Sequence, residues 1–211
     1  MTRERYCKTF VTVTALILFS LSGLPQVVAQ GKDYSKFTIN GGVGLSSPLG
    51  KGGDTLNTGY IVTVGGGYNF SKRLGVLAEY DYSHLGVEQS AADKLANKGT
   101  NDQVTANGRV WAFTGNSIMH LNRPGKVDFY GIAGAGVYQR RIGLSVTTTK
   151  STGATTASFT KISTAFGINF GGGVTFEVGK GFKGYVEARY HHAFTEDAHT
   201  QLFPISVGIR W

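Results

Sequence analysis

Connections of two kinds alternate along this chain, and no other feature limits its possible folds so strongly. Eight stretches place apolar residues at every second position, and a strand puts successive side chains on opposite faces. Long polar connections follow the first, third, fifth and seventh stretches, at residues 46–58, 85–106, 145–163 and 194–200. Short turns follow the second, fourth and sixth, at Ser71-Lys72-Arg73, Asn122-Arg123-Pro124-Gly125-Lys126 and Gly179-Lys180-Gly181. A soluble sandwich has no reason to sort its connections by length. A membrane-spanning barrel does, because its extracellular loops are long and its periplasmic turns short. The stretches run ~9 to 12 residues, enough for a tilted span, against ~5 to 6 in ordinary strands.

The last eleven residues display the two faces most cleanly. Phe203, Ile205, Val207, Ile209 and Trp211 share one parity, while Pro204, Ser206, Gly208 and Arg210 share the other. The same split recurs in strand one, with Phe37, Ile39, Val43 and Leu45 against Thr38, Asn40, Gly42 and Gly44. In strand two only Ile61 is an apolar residue off pattern. Charged residues within strands, namely Glu79, Asp81, Glu187, Arg189 and Arg210, all fall on the polar parity. Tyr60, Tyr68, Phe70, Tyr80, Tyr82, Trp111, Phe176, Tyr190 and Trp211 fall on the apolar parity near strand ends, as aromatic girdles do. Strand five, with Gly-Ile-Ala-Gly-Ala-Gly-Val-Tyr, allows either parity to face outward. The expected fold is therefore all-β, an eight-stranded antiparallel up-and-down barrel that spans a membrane and ends both termini on the periplasmic side.

Glycine supplies 31 of 211 residues, about twice its usual ~7%, and much of it lies inside the alternating stretches, where a tightly curved sheet uses it. The first thirty residues differ in kind. Arg3, Arg5 and Lys8 precede an apolar run over 10–24, a Pro25 break and the small-residue site Val27-Val28-Ala29. That is the pattern of a secretory signal peptide at 1–29, with the barrel domain at 30–211. The one cysteine, Cys7, lies in the leader, so the exported chain has no disulfide to rely on. Removing the leader's three cations and Glu4 brings the net charge of +8 to +6. No basic stripe with interleaved aromatics accompanies it, so nucleic acid is not the expected partner. Anionic lipid head groups and surface polysaccharide are.

An eight-stranded barrel is just wide enough for its own side chains to fill. Glu79, Asp81, Glu187, Arg189 and Arg210, with Arg140 or Arg141 as further candidates, are thus expected to pair as a lumen network, because a buried unpaired charge is costly. A gated, narrow ion path is the alternative. His191, His192, Glu196, Asp197 and His199 have a metal-binding composition, but neighbours on a strand point apart, and no metal is expected. The same geometry separates Ser83 from His84 beside Asp81, the one local set resembling a hydrolytic site. No cofactor and no enzymatic activity are expected.

The leader, the segments G-G-G-Y-N-F-S-K-R-L-G-V-L-A-E-Y-D-Y (65–82) and G-G-G-V-T-F-E-V-G-K-G-F-K-G-Y-V-E-A-R-Y (171–190), and the terminal F-P-I-S-V-G-I-R-W together resemble the small outer-membrane β-barrel family. The chain is similar to the OmpA transmembrane domain, OmpX and porin-family sequences of this size, over all of its exported length. Most members end in Phe, and Trp211 departs from that. The resemblance implies an integral outer-membrane protein, in contact with lipid and lipopolysaccharide, monomeric, and handed to the barrel-assembly machinery through Phe203, Ile205, Val207, Ile209 and Trp211. It implies a structural or envelope role, or binding of an extracellular ligand at the loops, notably the Thr/Ser-rich third one with Lys150 and Lys161. A narrow porin-like channel is the alternative, and a lipid-modifying enzyme a further one.

Overall fold

The computed structural model describes residues 35–50, 56–87, 102–122, 126–150, 153–179, 181–195 and 199–211. The leader expected at 1–29, most of the second long connection and the acidic pair Glu196-Asp197 lie outside them. Eight strands follow in order: β1 Phe37–Leu49, β2 Leu56–Asn69, β3 Leu74–Val87, β4 Asp102–His120, β5 Val127–Lys150, β6 Gly153–Gly179, β7 Phe182–Ala193 and β8 Thr200–Arg210. Each pairs antiparallel with the next, and β8 pairs with β1, so the sheet closes into a barrel. The closing seam runs from Leu49↔Gln201 to Asn40↔Arg210. It continues one step further, where the backbones of Ile39 and Trp211 exchange both hydrogen bonds, at 2.7 and 2.8 Å. Closure leaves no sheet edge in the apolar zone, the condition for strands to cross a bilayer.

The outward face is apolar. Phe37, Ile39, Val43, Leu45, Val64, Phe113, Phe129, Phe170, Ile205, Val207 and Ile209 are all exposed on it. Strand five takes a definite facing here: Phe129 and Val137 point outward, while Asp128, Tyr130, Ile132 and Tyr138 are buried inside. Parity could not decide this because Gly and Ala fill both sets of alternate positions.

The ends differ from expectation in a way that matters. The third connection, expected as a loop over 145–163, is a continuation of β5 and β6, which stay paired from Arg141↔Ile162 to Lys150↔Gly153. The first and second connections are likewise shortened, since β1 runs on to Leu49, β2 starts at Leu56, β3 ends at Val87 and β4 begins at Asp102. Polarity marks a segment as wet and says nothing against its being a strand; Thr, β-branched, favours one. At the opposite end the turns are tight. Ser71 Oγ accepts from the Leu74 and Arg73 amides, at 3.0 and 3.2 Å, and Gly181 adopts φ +85° between β6 and β7, a conformation glycine takes without steric cost.

Candidate functional site

The lumen is built in layers. Near the turn end, Leu77, Ile118, Tyr130 and Ile132 form one buried apolar cluster. Toward the outer end, Leu56, Leu85, Val110, Ala112, Tyr138, Ala193 and Leu202 form another. Ile61, off pattern in the sequence, is buried on the inner face as well. Between the clusters lies a polar network, so the interior is a charged layer enclosed by two apolar ones and not the wholly polar filling expected.

Glu79 is at the centre of that layer. It accepts from Asn40 Nδ2 at 2.6 Å, Asn116 Nδ2 at 2.7 Å and Arg189 NH1 at 2.7 Å. Arg189 also donates from Nε to Glu187 Oε1 at 2.5 Å, so one guanidinium bridges two carboxylates. The Tyr130 hydroxyl donates to the other Glu187 oxygen at 2.8 Å. Asn169 donates to Asn116 Oδ1 at 2.9 Å, extending the chain to β6. Asp81 stands aside, accepting from Thr63 Oγ1 at 2.7 Å. Glu79, Asp81, Glu187 and Arg189 are all buried, and buried ions need this density of hydrogen bonds to offset desolvation. Backbone space makes it possible: a Cβ on Gly65 would stand 2.6 Å from Glu79 Cγ and 2.7 Å from Asn40 Oδ1.

Arg210 sits differently. It is buried, yet its nearest carboxylate oxygen, on Glu187, is 3.9 Å away, and its guanidinium nitrogens make no hydrogen bond. Instead its guanidinium lies over the rings of Tyr130 and Tyr185, at 4.9 and 5.2 Å. Tyr185 lies across Gly42 and Gly208, where a Cβ would come within 2.1 and 2.5 Å of it. Arg210→Ala is therefore expected to cost about 1–2 kcal/mol, the scale of buried cation–π contacts, in urea titrations of the micelle-bound barrel; a loss as large as that of Arg189→Ala would contradict this ranking.

A cavity of about 750 Å³ opens at the turn end, lined by Lys72, His120, Asp128, Lys183, Arg210 and Trp211 and bounded inward by Leu77 and Ile118. The His120 imidazole Nδ1 and an Asp128 carboxylate oxygen meet at its wall. Beyond the charged layer a void of about 10 Å³ lies beside Asp81, Ser83, Tyr138 and His191, about the space of one water.

The other sequence candidates separate. Ser83 and Asp81 face the lumen, whereas His84 lies outside, stacked on Tyr60 at 5.4 Å. His191 is buried against the Tyr138 hydroxyl at 3.0 Å, while His192 packs outside on Phe194 and His199. Among the described residues no three His, Cys, Asp or Glu side chains gather as a metal site. Phe203, Ile205, Val207 and Ile209 all face outward, and Trp211 stacks on Phe182 at the turn-end rim. Arg140 takes the inner parity and Arg141 the outer one, above the network. Asn40, Asn116, Asn169, Thr63 and Tyr130 are network members that charge alone did not reveal; their signal was polar side chains on the charged parity.

A closed eight-stranded barrel with an apolar belt and a filled lumen defines an integral outer-membrane protein. The chain belongs to the outer membrane protein β-barrel domain family, whose model matches residues 12–210. No curated protein matches the sequence. Among solved structures, Neisserial surface protein A is similar over 83% of this chain and 96% of its own, at 15% identity and a TM-score of 0.51. A major outer membrane protein of Thermus thermophilus is similar over 83% and 98%, at 12% identity and 0.51. The attachment invasion locus protein Ail of Yersinia pestis is 17% identical over 83% and 97%, with a TM-score of 0.48. At such identities the likeness speaks to fold alone.

Proposed function

We propose that this protein is a monomeric, non-conducting and non-enzymatic barrel that serves the envelope structurally and meets extracellular ligands at its outer rim. The observation that carries this reading is the hydrogen-bonded plug from Asn40 through Glu79 and Arg189 to Glu187 and Tyr130, capped by apolar layers on both sides. A solute would have to break buried ion pairs and pass two apolar layers. The divergence of Ser83 and His84 supports the absence of hydrolysis.

The rim supports the binding half of the reading. β7 pairs with β6 only from Gly167 to Gly179, and β3 pairs with β4 no further out than Asn107. Above that level β4, β5 and β6 continue as a three-stranded sheet, and among the described residues no strand pairs with the far side of β6 from Gly153 to Ala165. Thr147 and Thr156 pair across the sheet through their hydroxyls at 3.0 Å, and Phe159 and Ile162 are exposed on it. An open, wet strand edge is a template for an added extended segment. The lipid-facing terminal strand with Trp211 is the segment we assign to the barrel-assembly machinery. Liposomes carrying the protein are expected not to swell in isotonic small sugars; swelling at the rate of a general porin would reject the closed-lumen reading in favour of a channel.

A further inference from the structure

Arg210 is 8% exposed, yet none of its three guanidinium nitrogens has a hydrogen-bond acceptor among the described residues. A buried donor left unmade costs more than the bond contributes when made. The Tyr130 and Tyr185 rings attract its charge through their faces and leave its planar fork of N–H donors unused. Glu187, the nearest carboxylate at 3.9 Å, already accepts from Arg189 on one oxygen and from Tyr130 on the other. Arg210 forms part of the wall of the turn-end cavity, and the space for an acceptor lies there.

The cavity has the size and the lining of a ligand site. Its volume of about 750 Å³ falls in the range of small-molecule pockets. It opens among the turn residues Ser71, Gly179 and Gly181, at the end that such barrels turn to the periplasm. Lys72, Lys183 and Arg210 line it against Asp128 and Glu177, so one positive charge is in excess among the described lining side chains. Both acids have cationic or imidazole neighbours: Asp128 meets His120, and Glu177 is the register partner of Lys183. Lys183 also stands directly opposite Arg210, and like charges so placed repel. At the mouth Trp211 stacks on Phe182 at 6.2 Å, and both rings line the cavity.

We propose that this cavity binds the carboxylate of a small periplasmic solute that carries an apolar or aromatic body. The Arg210 fork takes the carboxylate bidentately. Lys183 adds a second positive charge, and Trp211 and Phe182 pack on the body of the ligand. One excess charge matches a monoanion, whereas a dianionic phosphate meets repulsion from Asp128 and Glu177. Binding satisfies the idle donors and relieves the repulsion between Lys183 and Arg210. The site goes beyond the envelope role proposed above and is independent of what the outer rim meets.

The test uses the full barrel in nanodiscs with Trp111→Phe, which leaves Trp211 as the sole tryptophan, and follows its quenching by para-iodobenzoate. Saturable quenching is expected, with the neutral para-iodobenzamide and the dianionic para-iodophenyl phosphate each binding roughly tenfold or more weakly. Arg210→Gln is expected to abolish saturation. Arg210→Lys keeps a cation beside the two rings, and with it the fold, but loses the fork and should weaken binding roughly tenfold. Arg109→Gln removes the same charge from the outer wall and should change affinity by less than about twofold. Asp33→Asn, which removes the acid two residues before Ser35 at the cavity wall, is expected to leave affinity unchanged. Heat-shifted gel mobility confirms folding of each variant. A cavity that holds water alone would show no saturable quenching. That result, equal quenching by the amide, unchanged binding in both Arg210 variants, or saturation that appears only with Asp33→Asn would each overturn the site.

Discussion

Arg189→Ala is expected to lower the barrel's unfolding free energy by about 3–5 kcal/mol, the cost of stranding buried charges without their partner. The effect is large because one side chain serves two carboxylates, Glu79 at 2.7 Å and Glu187 at 2.5 Å, both buried. Its removal leaves two anions facing each other across a lumen closed above and below by apolar residues. Arg189→Lys is expected to recover only part of the loss, since a single ammonium lacks the fork that reaches both acids. Urea titration of the micelle-bound protein, with the mobility of unheated samples on gels, reads the result. A change below about 1 kcal/mol, the range of exposed pairs, would mean that the network does not hold the lumen together.

Gly44→Val is expected to abolish closure. A Cβ at Gly44 would lie 2.0 Å from the Ile205 carbonyl oxygen and 2.6 Å from Ser206 Cα, and these are backbone atoms of the facing strand that cannot swing away. The seam between β1 and β8 would have to open, which exposes unpaired backbone groups to lipid at several kcal/mol each. Unheated Gly44→Val should therefore migrate as the unfolded chain. Gly115 supplies the contrast: no atom lies within 4 Å of a Cβ placed there, and it points outward, so Gly115→Val should fold and migrate like the parent. Normal heat-modified mobility for Gly44→Val would contradict the register of the seam.

Most of the barrel was legible from period-two alternation because lipid on one side and a narrow interior on the other enforce it at nearly every strand residue. Legibility fails where those two demands lapse. In β5, Gly131, Ala133, Gly134, Ala135 and Gly136 are small on both faces, so neither parity stands out. Above the membrane both faces of β5 and β6 meet water, and the Thr/Ser-rich hairpin reads as a loop although it is a continuous ladder. Inside, the parity of Glu79, Glu187 and Arg189 was readable, but which partners they take was not. Partners come from strands far apart in sequence, as with Asn40 and Asn116 on Glu79, and only the closed register brings them together. The apolar layers were hidden because Leu77, Leu85, Val110 and Ile118 look like noise on a parity defined by its charges.

The central claim, that Arg189 and its carboxylates close the lumen, is tested most directly by single-channel recording in planar bilayers. The unaltered barrel is expected to stay silent at potentials where a porin conducts, while Arg189→Ala, if it inserts, gains brief openings. Steady conductance steps from the unaltered protein, unchanged by Arg189→Ala, would contradict it.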